Sequence, residues 1–222
     1  MDGDLTVLSP TSADDYLFAS KCSNVSVKAV LPGPATFRAM CEDRYYHDEE
    51  KLFSEIEKIL AGEVEALTAA GCSHIQFDEP SLPFHPEFAE RSIQIINRLS
   101  EPANIEFWVY FYFGNIDTIR DSLKKYRVSV VGVDCVSHTA NKNTLLDSGA
   151  DCSFCFGLAD ARDLKLETQH DLIAEMREVA DSLGEKDFWI SPSCSLEFLP
   201  QDYALRKLKA LTGAARSFRG GE

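Results

Sequence analysis

The sequence predicts an α/β fold, a (β/α) barrel of the TIM type that is incomplete at its N-terminal end. Three observations lead there. Short runs rich in β-branched and aromatic residues alternate with amphipathic stretches from Val25 onward. Those runs are apolar throughout rather than alternating, as in a parallel sheet covered on both faces. No Gly-rich phosphate loop follows any of them, so the dinucleotide fingerprint of a doubly wound sheet is absent. An open doubly wound sheet competes with the barrel on periodicity alone. A full eight-stranded barrel takes about 250 residues, and this chain of 222 residues is short of strands before Val25.

The elements follow in order. Residues 25–31 (VSVKAVL) read as a strand stopped by Pro32-Gly33-Pro34. Leu52, Ile56, Ile59, Leu60, Val64 and Leu67 recur at helical spacing over 49–70, and Gly71 is a helix stop. A strand over 74–77 and a helix over 86–99 come next, the helix carrying Phe88, Ile95, Ile96 and Leu99. The run 105–113 (IEFWVYFYF) is a strand, 116–126 a helix, 128–133 (VSVVGV) a strand and 141–146 a short helix. Strand 152–156 (CSFCF), helix 169–183 ending at Gly184, strand 188–190 and helix 200–216 complete six βα-type units. A seventh strand at 5–8 (LTVL) is left open. One domain spans 1–222, with 1–13 and 217–222 expected to fray.

Composition excludes several classes. Hydrophobic residues make up 45% and charged residues 26%, as in a soluble globular chain. A formal charge of −14 argues against nucleic-acid binding, which needs basic patches. Every apolar run falls far below the roughly 18 residues of a membrane span, and the acidic start MDGDLTVLSPTSADD is no secretory leader. The expected location is cytoplasmic. Seven cysteines, an odd number, then read as reduced thiols rather than a disulfide framework. Cys152 and Cys155 imitate C-x-x-C, but on a strand they point to opposite faces, so redox chemistry is not expected of them.

In either closure, sites gather at the carboxyl ends of the strands. There stand Asp78 and Glu79 in IQFDEPSL, Asp134, Cys135 and His138 in VDCVSH, Asp160 after 152–156, and Cys194 in SPSCS. Two adjacent acids after an apolar run are costly to bury unless paired, so they mark either a solvated loop or a site. Sulfur, imidazole and carboxylate are ligand types that suit zinc, although none here has the tight spacing of a finger. His47 in RYYHDEE reads as a surface residue, and the aromatic run from Trp108 to Phe113 as core.

Four blocks in order, LPGPATF (31–37), AGCSHIQFDEPSL (70–82), LADARDLKLET (158–168) and WISPSCSLEFLP (189–200), resemble the cobalamin-independent methionine synthase family. The likeness is to its short archaeal-type, C-terminal catalytic barrel and covers about Asp14 to Arg216. It implies a methyltransferase that moves a methyl group to the thiol of homocysteine or a similar small thiol, with zinc holding the sulfur as thiolate. The donor would be a methylated folate or a methyl-corrinoid, the latter brought by a corrinoid protein. The resemblance assigns Asp78 to the substrate ammonium, with Glu79 and Thr36 as further substrate contacts. It assigns Asp160 to the catalytic D-x-H block, and Cys194 and Asp134 to the metal, with Cys135 or His138 as substitutes.

The departures are specific. Where the family has His-x-Cys, this chain has Tyr110-Phe111-Tyr112, and a phenol with a pKa near about 10 binds zinc poorly at neutral pH. Asp134 replaces a glutamate, Arg162 an imidazole, and Met40 the tryptophan that faces the pterin ring in folate-using members. The opening strand with its S-F-P-like turn, which contacts the substrate carboxylate, has no counterpart. Two alternatives therefore stand beside the methyltransferase. One is a weakened paralogue or split half that binds a thiol, a corrinoid protein or a partner chain completing the barrel. The other is a decarboxylase of the porphyrinogen type, on fold analogy alone.

Overall fold

Parallel strands succeed one another in chain order across one six-stranded sheet in the computed structural model, which describes residues 1–6, 9–101 and 104–220. The elements are α1 (Ser12–Cys22), β1 (Ala29–Pro32), α2 (Pro34–Ala39), α3 (Glu49–Ala69), β2 (His74–Asp78), α4 (Ala89–Leu99) and β3 (Glu106–Phe111). They continue with α5 (Arg120–Leu123), β4 (Val130–Asp134), α6 (Ala140–Leu146), β5 (Ser153–Ala159), α7 (Gln169–Leu183), β6 (Phe188–Pro192) and α8 (Gln201–Gly220). An order with no reversal is the winding of a barrel; a doubly wound sheet reverses at its switch point. Among the described residues β6 does not pair with β1, so both keep a free edge. The sheet is nonetheless curled. Trp189 of β6 lies 5.1 Å, ring centre to ring centre, from Trp108 of β3, two strands away from its own neighbour β5.

Strand alternation divides the sheet into two faces. The register row Leu31–Phe77–Val109–Val131–Phe154–Phe188 crosses all six strands and turns outward into the main core against the helices. The next row, Pro32–Asp78–Tyr110–Gly132–Cys155–Trp189, turns inward. A smaller cluster of Trp108, Tyr110, Val130 and Cys155 fills that interior. Val30 and Trp189, beside the free edges, stay 51% and 46% exposed.

Helix boundaries follow local chemistry. Asp48 caps α3 by accepting from Glu50 N (2.9 Å) and Lys51 N (3.1 Å), and Leu52, Ile56, Leu60, Val64 and Leu67 form its buried stripe. Thr168 caps α7 through Asp171 N at 3.1 Å, and Gly184 ends it at φ +66°.

Several boundaries differ from expectation. The strand expected over 25–31 pairs only from Ala29, since β1 is an edge whose sole ladder partner, β2, meets it at Ile75. The helix expected over 116–126 is a tight turn, Ile116–Ile119, followed by the four residues of α5. Helix α1 was not expected at all. None of its side chains is buried, so no apolar stripe announces it, and Ser12 N and Tyr16 Oη tether it to Glu63 and to the Gly71 carbonyl. Helix α8 continues to Gly220, through residues expected to fray. The possible strand at 5–8 includes Val7 and Leu8, which lie outside the described residues. No described helix is long and apolar enough to cross a membrane.

Candidate functional site

The adjacent acids of IQFDEPSL part company at the end of β2. Asp78 belongs to the inner row, and Glu79, one residue on, turns the other way. Glu79 has no exposed surface. Its Oε1 accepts from Ala35 N (3.0 Å) and Ser92 Oγ (2.6 Å), and its Oε2 from Thr36 N and Thr36 Oγ1, both at 2.8 Å. Burial pushes its pKa up, and these hydrogen bonds pull against that. Gly33 lets the side chain pass, because a Cβ there would overlap it. Glu79 and Thr36, expected to touch substrate, instead clamp the start of α2 onto β2 and α4.

Asp78 faces a cavity of about 290 Å³ whose lining includes Lys28, Gln76, Tyr112, Ser191 and Cys194. Its Oδ1 accepts from Gln76 Nε2 at 2.6 Å and its Oδ2 from Tyr112 Oη at 3.1 Å. Burial raises the Asp78 pKa; Gln76, Tyr112 and the Lys28 charge oppose the rise. Lys28 Nζ donates to Gln76 Oε1 and sits 3.6 Å from the centre of the Trp108 ring. Burial pulls its pKa down.

The proposed metal donors do not meet. Cys194 lines the cavity, 8% exposed, with its Sγ 3.6 Å from the Ser195 carbonyl, and burial pushes its thiol up to about 11. Asp134 is fully buried and its carboxylate is committed to backbone: Oδ1 accepts from Val136 N (2.8 Å) and Ser137 N (2.9 Å), Oδ2 from Phe113 N (3.4 Å). Cys135 faces the outer core, its Sγ 3.7 Å from the Val133 carbonyl, and burial raises its pKa far above the ordinary thiol range. His138 stands at the approach to α6, where its carbonyl accepts from Asn141 N at 2.9 Å. Asp160 folds back on its own loop, Oδ1 accepting from Arg162 N at 2.9 Å. The charges of Asp134 and Asp160 reach the Cys194 thiol, both raising its pKa.

Tyrosines occupy the remaining ligand positions. Tyr110 Oη donates to the Pro192 carbonyl (3.0 Å) and meets Ser191 Oγ (2.9 Å), and Tyr112 serves Asp78. Among the described residues no three His, Cys, Asp or Glu side chains stand where they could hold a metal ion. This donor set does not fit zinc, which takes four ligands about one centre in structural sites and three plus an open position in catalytic ones. Met40, at the pterin-facing position, is 74% exposed.

Lys28 and Gln76 were not anticipated as site residues. The signal was there: a lysine inside the apolar run VSVKAVL, and a glutamine two residues before Asp78, hence on the same face. The aromatic filling of the interior was also legible. Gly132 and Gly157 interrupt β4 and β5 on the inner face, and a Cβ at either would collide with Tyr110.

Known proteins share this fold. A family profile described as the N-terminal domain of cobalamin-independent synthase matches residues 3–183, whereas the resemblance of the four sequence blocks is to the C-terminal catalytic barrel. The methionine synthase of Sulfurisphaera tokodaii is 24% identical over 202 residues, 90% of this chain and 60% of that protein. That of Pyrococcus abyssi is 24% identical over 193 residues, covering 87% and 57%. This chain thus spans about six-tenths of the length of these relatives. A B12-independent methionine synthase from Shewanella sp. W3-18-1, solved with selenomethionine, superposes with a TM-score of 0.89 at 24% identity, over 99% of this chain and 70% of that one. A methyltransferase from Methanosarcina mazei shares the fold at a TM-score of 0.72 and 14% identity, over 94% and 64%. With the profile matching most of its length, this chain belongs to the cobalamin-independent methionine synthase family.

Proposed function

We propose that this chain binds homocysteine or a similar small amino-acid thiol in the cavity between Asp78 and Cys194, and that it acts as a binding member of its family rather than as a zinc-dependent methyltransferase. The observation that supports this is the Asp78 carboxylate, presented to a cavity of amino-acid size by two neutral donors, Gln76 and Tyr112. A ligand ammonium there supplies the counter-charge that offsets desolvation of the acid. The Shewanella relative was solved with selenomethionine, a ligand with the same amino-acid headgroup.

The binding reading is preferred because, among the described residues, no three His, Cys, Asp or Glu side chains stand where they could hold a metal that turns a thiol into thiolate. Cys194, the sulfur at this place, is pushed up to about 11 by burial and neighbouring acids, and the thiolate is the nucleophilic form. Methyl transfer is the second reading; the name of the relatives favours it, and it needs a sulfur activation that these donors do not provide.

Calorimetric titration with homocysteine is the direct test. Binding is expected, and Asp78→Asn is expected to weaken it by roughly tenfold or more, the scale of a hydrogen bond to a charged group. Equal affinity in the variant defeats the reading. Turnover with a methylated folate or methyl-corrinoid in the presence of zinc, lost in Cys194→Ala, establishes methyl transfer instead.

A further inference from the structure

Lys28 is a cation that the binding reading leaves without a task. It lies just before β1, with its ammonium inside the curled sheet on the same cavity as Asp78. Lysine is seldom drawn inward without an anionic partner. The groups in contact with the Lys28 ammonium are neutral, the Gln76 Oε1 atom and the face of the Trp108 ring, and its anionic neighbour Asp78 acts on it from beyond the Gln76 amide. An ammonium carries three N–H donors, and one is taken by the amide.

The Gln76 amide sits between the two charges. Its oxygen accepts from Lys28 and its nitrogen donates to Asp78 Oδ1 at 2.6 Å. One side chain thus holds a cation on its acceptor end and an anion on its donor end, spaced by the width of an amide. An α-amino acid carries the complementary pair, an ammonium and a carboxylate on one carbon. Seated across Gln76 it places the ammonium on Asp78 and the carboxylate on Lys28, and each ligand charge meets a protein charge already stripped of much of its water.

We propose that Lys28 is the carboxylate-binding residue of this cavity, so that Lys28, Gln76 and Asp78 together form a receptor for an α-amino acid zwitterion. The inference rests on the binding reading for the position of the ligand, and it adds the second anchor and a requirement for an intact carboxylate. The sulfur end is then left to the remaining lining, which includes Ser191 and Cys194.

The test uses three probes on the whole chain: homocysteine, its decarboxylated analogue aminopropanethiol, and the thiol-free zwitterion aminobutanoate. Lys28→Met keeps a stem over Trp108 and removes the charge. It is expected to weaken homocysteine and aminobutanoate by about tenfold and to leave aminopropanethiol within about twofold, while Lys28→Arg retains homocysteine binding. Far-UV circular dichroism and a thermal melt establish that each variant is folded. Equal weakening of all three probes makes Lys28 only a counter-ion for Asp78 and overturns the proposal, as does no weakening of any. If homocysteine fails to bind the native chain but aminobutanoate binds in a Lys28-dependent way, the thiol reading falls and the zwitterion receptor stands. If neither zwitterion binds, both fall.

Discussion

At Glu79 a carboxylate without exposed surface gathers the first amides of α2, the Thr36 hydroxyl and the Ser92 hydroxyl. Removing it leaves buried donors with nothing to accept from them, and each such orphan costs about 1–3 kcal/mol. Glu79→Ala is therefore expected to lower unfolding free energy by roughly 3 kcal/mol, read as a fall in the urea midpoint at unchanged slope. Homocysteine affinity of the folded variant should stay near that of the native chain, since Glu79 does not line the cavity. A large affinity loss with little loss of stability returns Glu79 to the substrate. Only part of this was legible in sequence. The order Asp-Glu after an apolar strand marked the place. Strand alternation carried one residue past β2 separates the two roles, but the donors that claim Glu79 come from α2 and α4, some 43 and 13 positions away.

Among the elements, β3, β4 and β5 are fitted to one another by the Tyr110 ring. It lies on Gly132 of β4 and its hydroxyl lies by Gly157 of β5, where any Cβ would overlap it. Gly132→Ala is expected to destabilise by more than about 2 kcal/mol, as overpacking in a tight interior does. Combined with Tyr110→Leu, which removes the ring, the same substitution should cost less, giving a coupling of about 1–3 kcal/mol in a denaturation double-mutant cycle. Additive effects would mean that the ring is not what the glycine accommodates. Elements bracketed by their own signals were readable: the helix expected over 169–183 is α7, because Thr168 and Gly184 enclose a clear stripe. Helices α1 and α2 were not, the first for want of a buried face and the second because Pro32-Gly33-Pro34 reads as a turn while Pro34 is in fact the first helical residue.

For the whole molecule, the parallel alternating order could be read from residues alone, since each strand advertises burial on both faces. The poor fit of the described donors to zinc could be read only in part. Tyr110 and Tyr112 showed that two ligands were replaced, but whether Asp134, Cys135 or His138 would swing in depends on turns closed by Asn141 and by backbone amides from two loops. The same packing gives the chain an acid preference. Asp78 and Glu79 are both held above the ordinary carboxylate range, chiefly by burial. Folded protein therefore binds more protons than unfolded protein between the ordinary value, roughly 4, and the raised ones. With ν_N above ν_U, unfolding free energy falls as pH rises through that window. The formal charge of −14 acts in the same sense, because protonation relieves self-repulsion. Glu55 and Glu178, held below the ordinary range by Lys51, Lys58 and Lys142, pull the other way only at pH below that range. Urea midpoints are thus expected to fall as pH rises from about 5, just above the ordinary carboxylate value, toward neutrality, and Asp78→Asn should shrink the difference. A midpoint that instead rises with pH contradicts the buried-acid account, while a difference untouched by the variant removes Asp78 from it and leaves Glu79 and net charge to carry the effect.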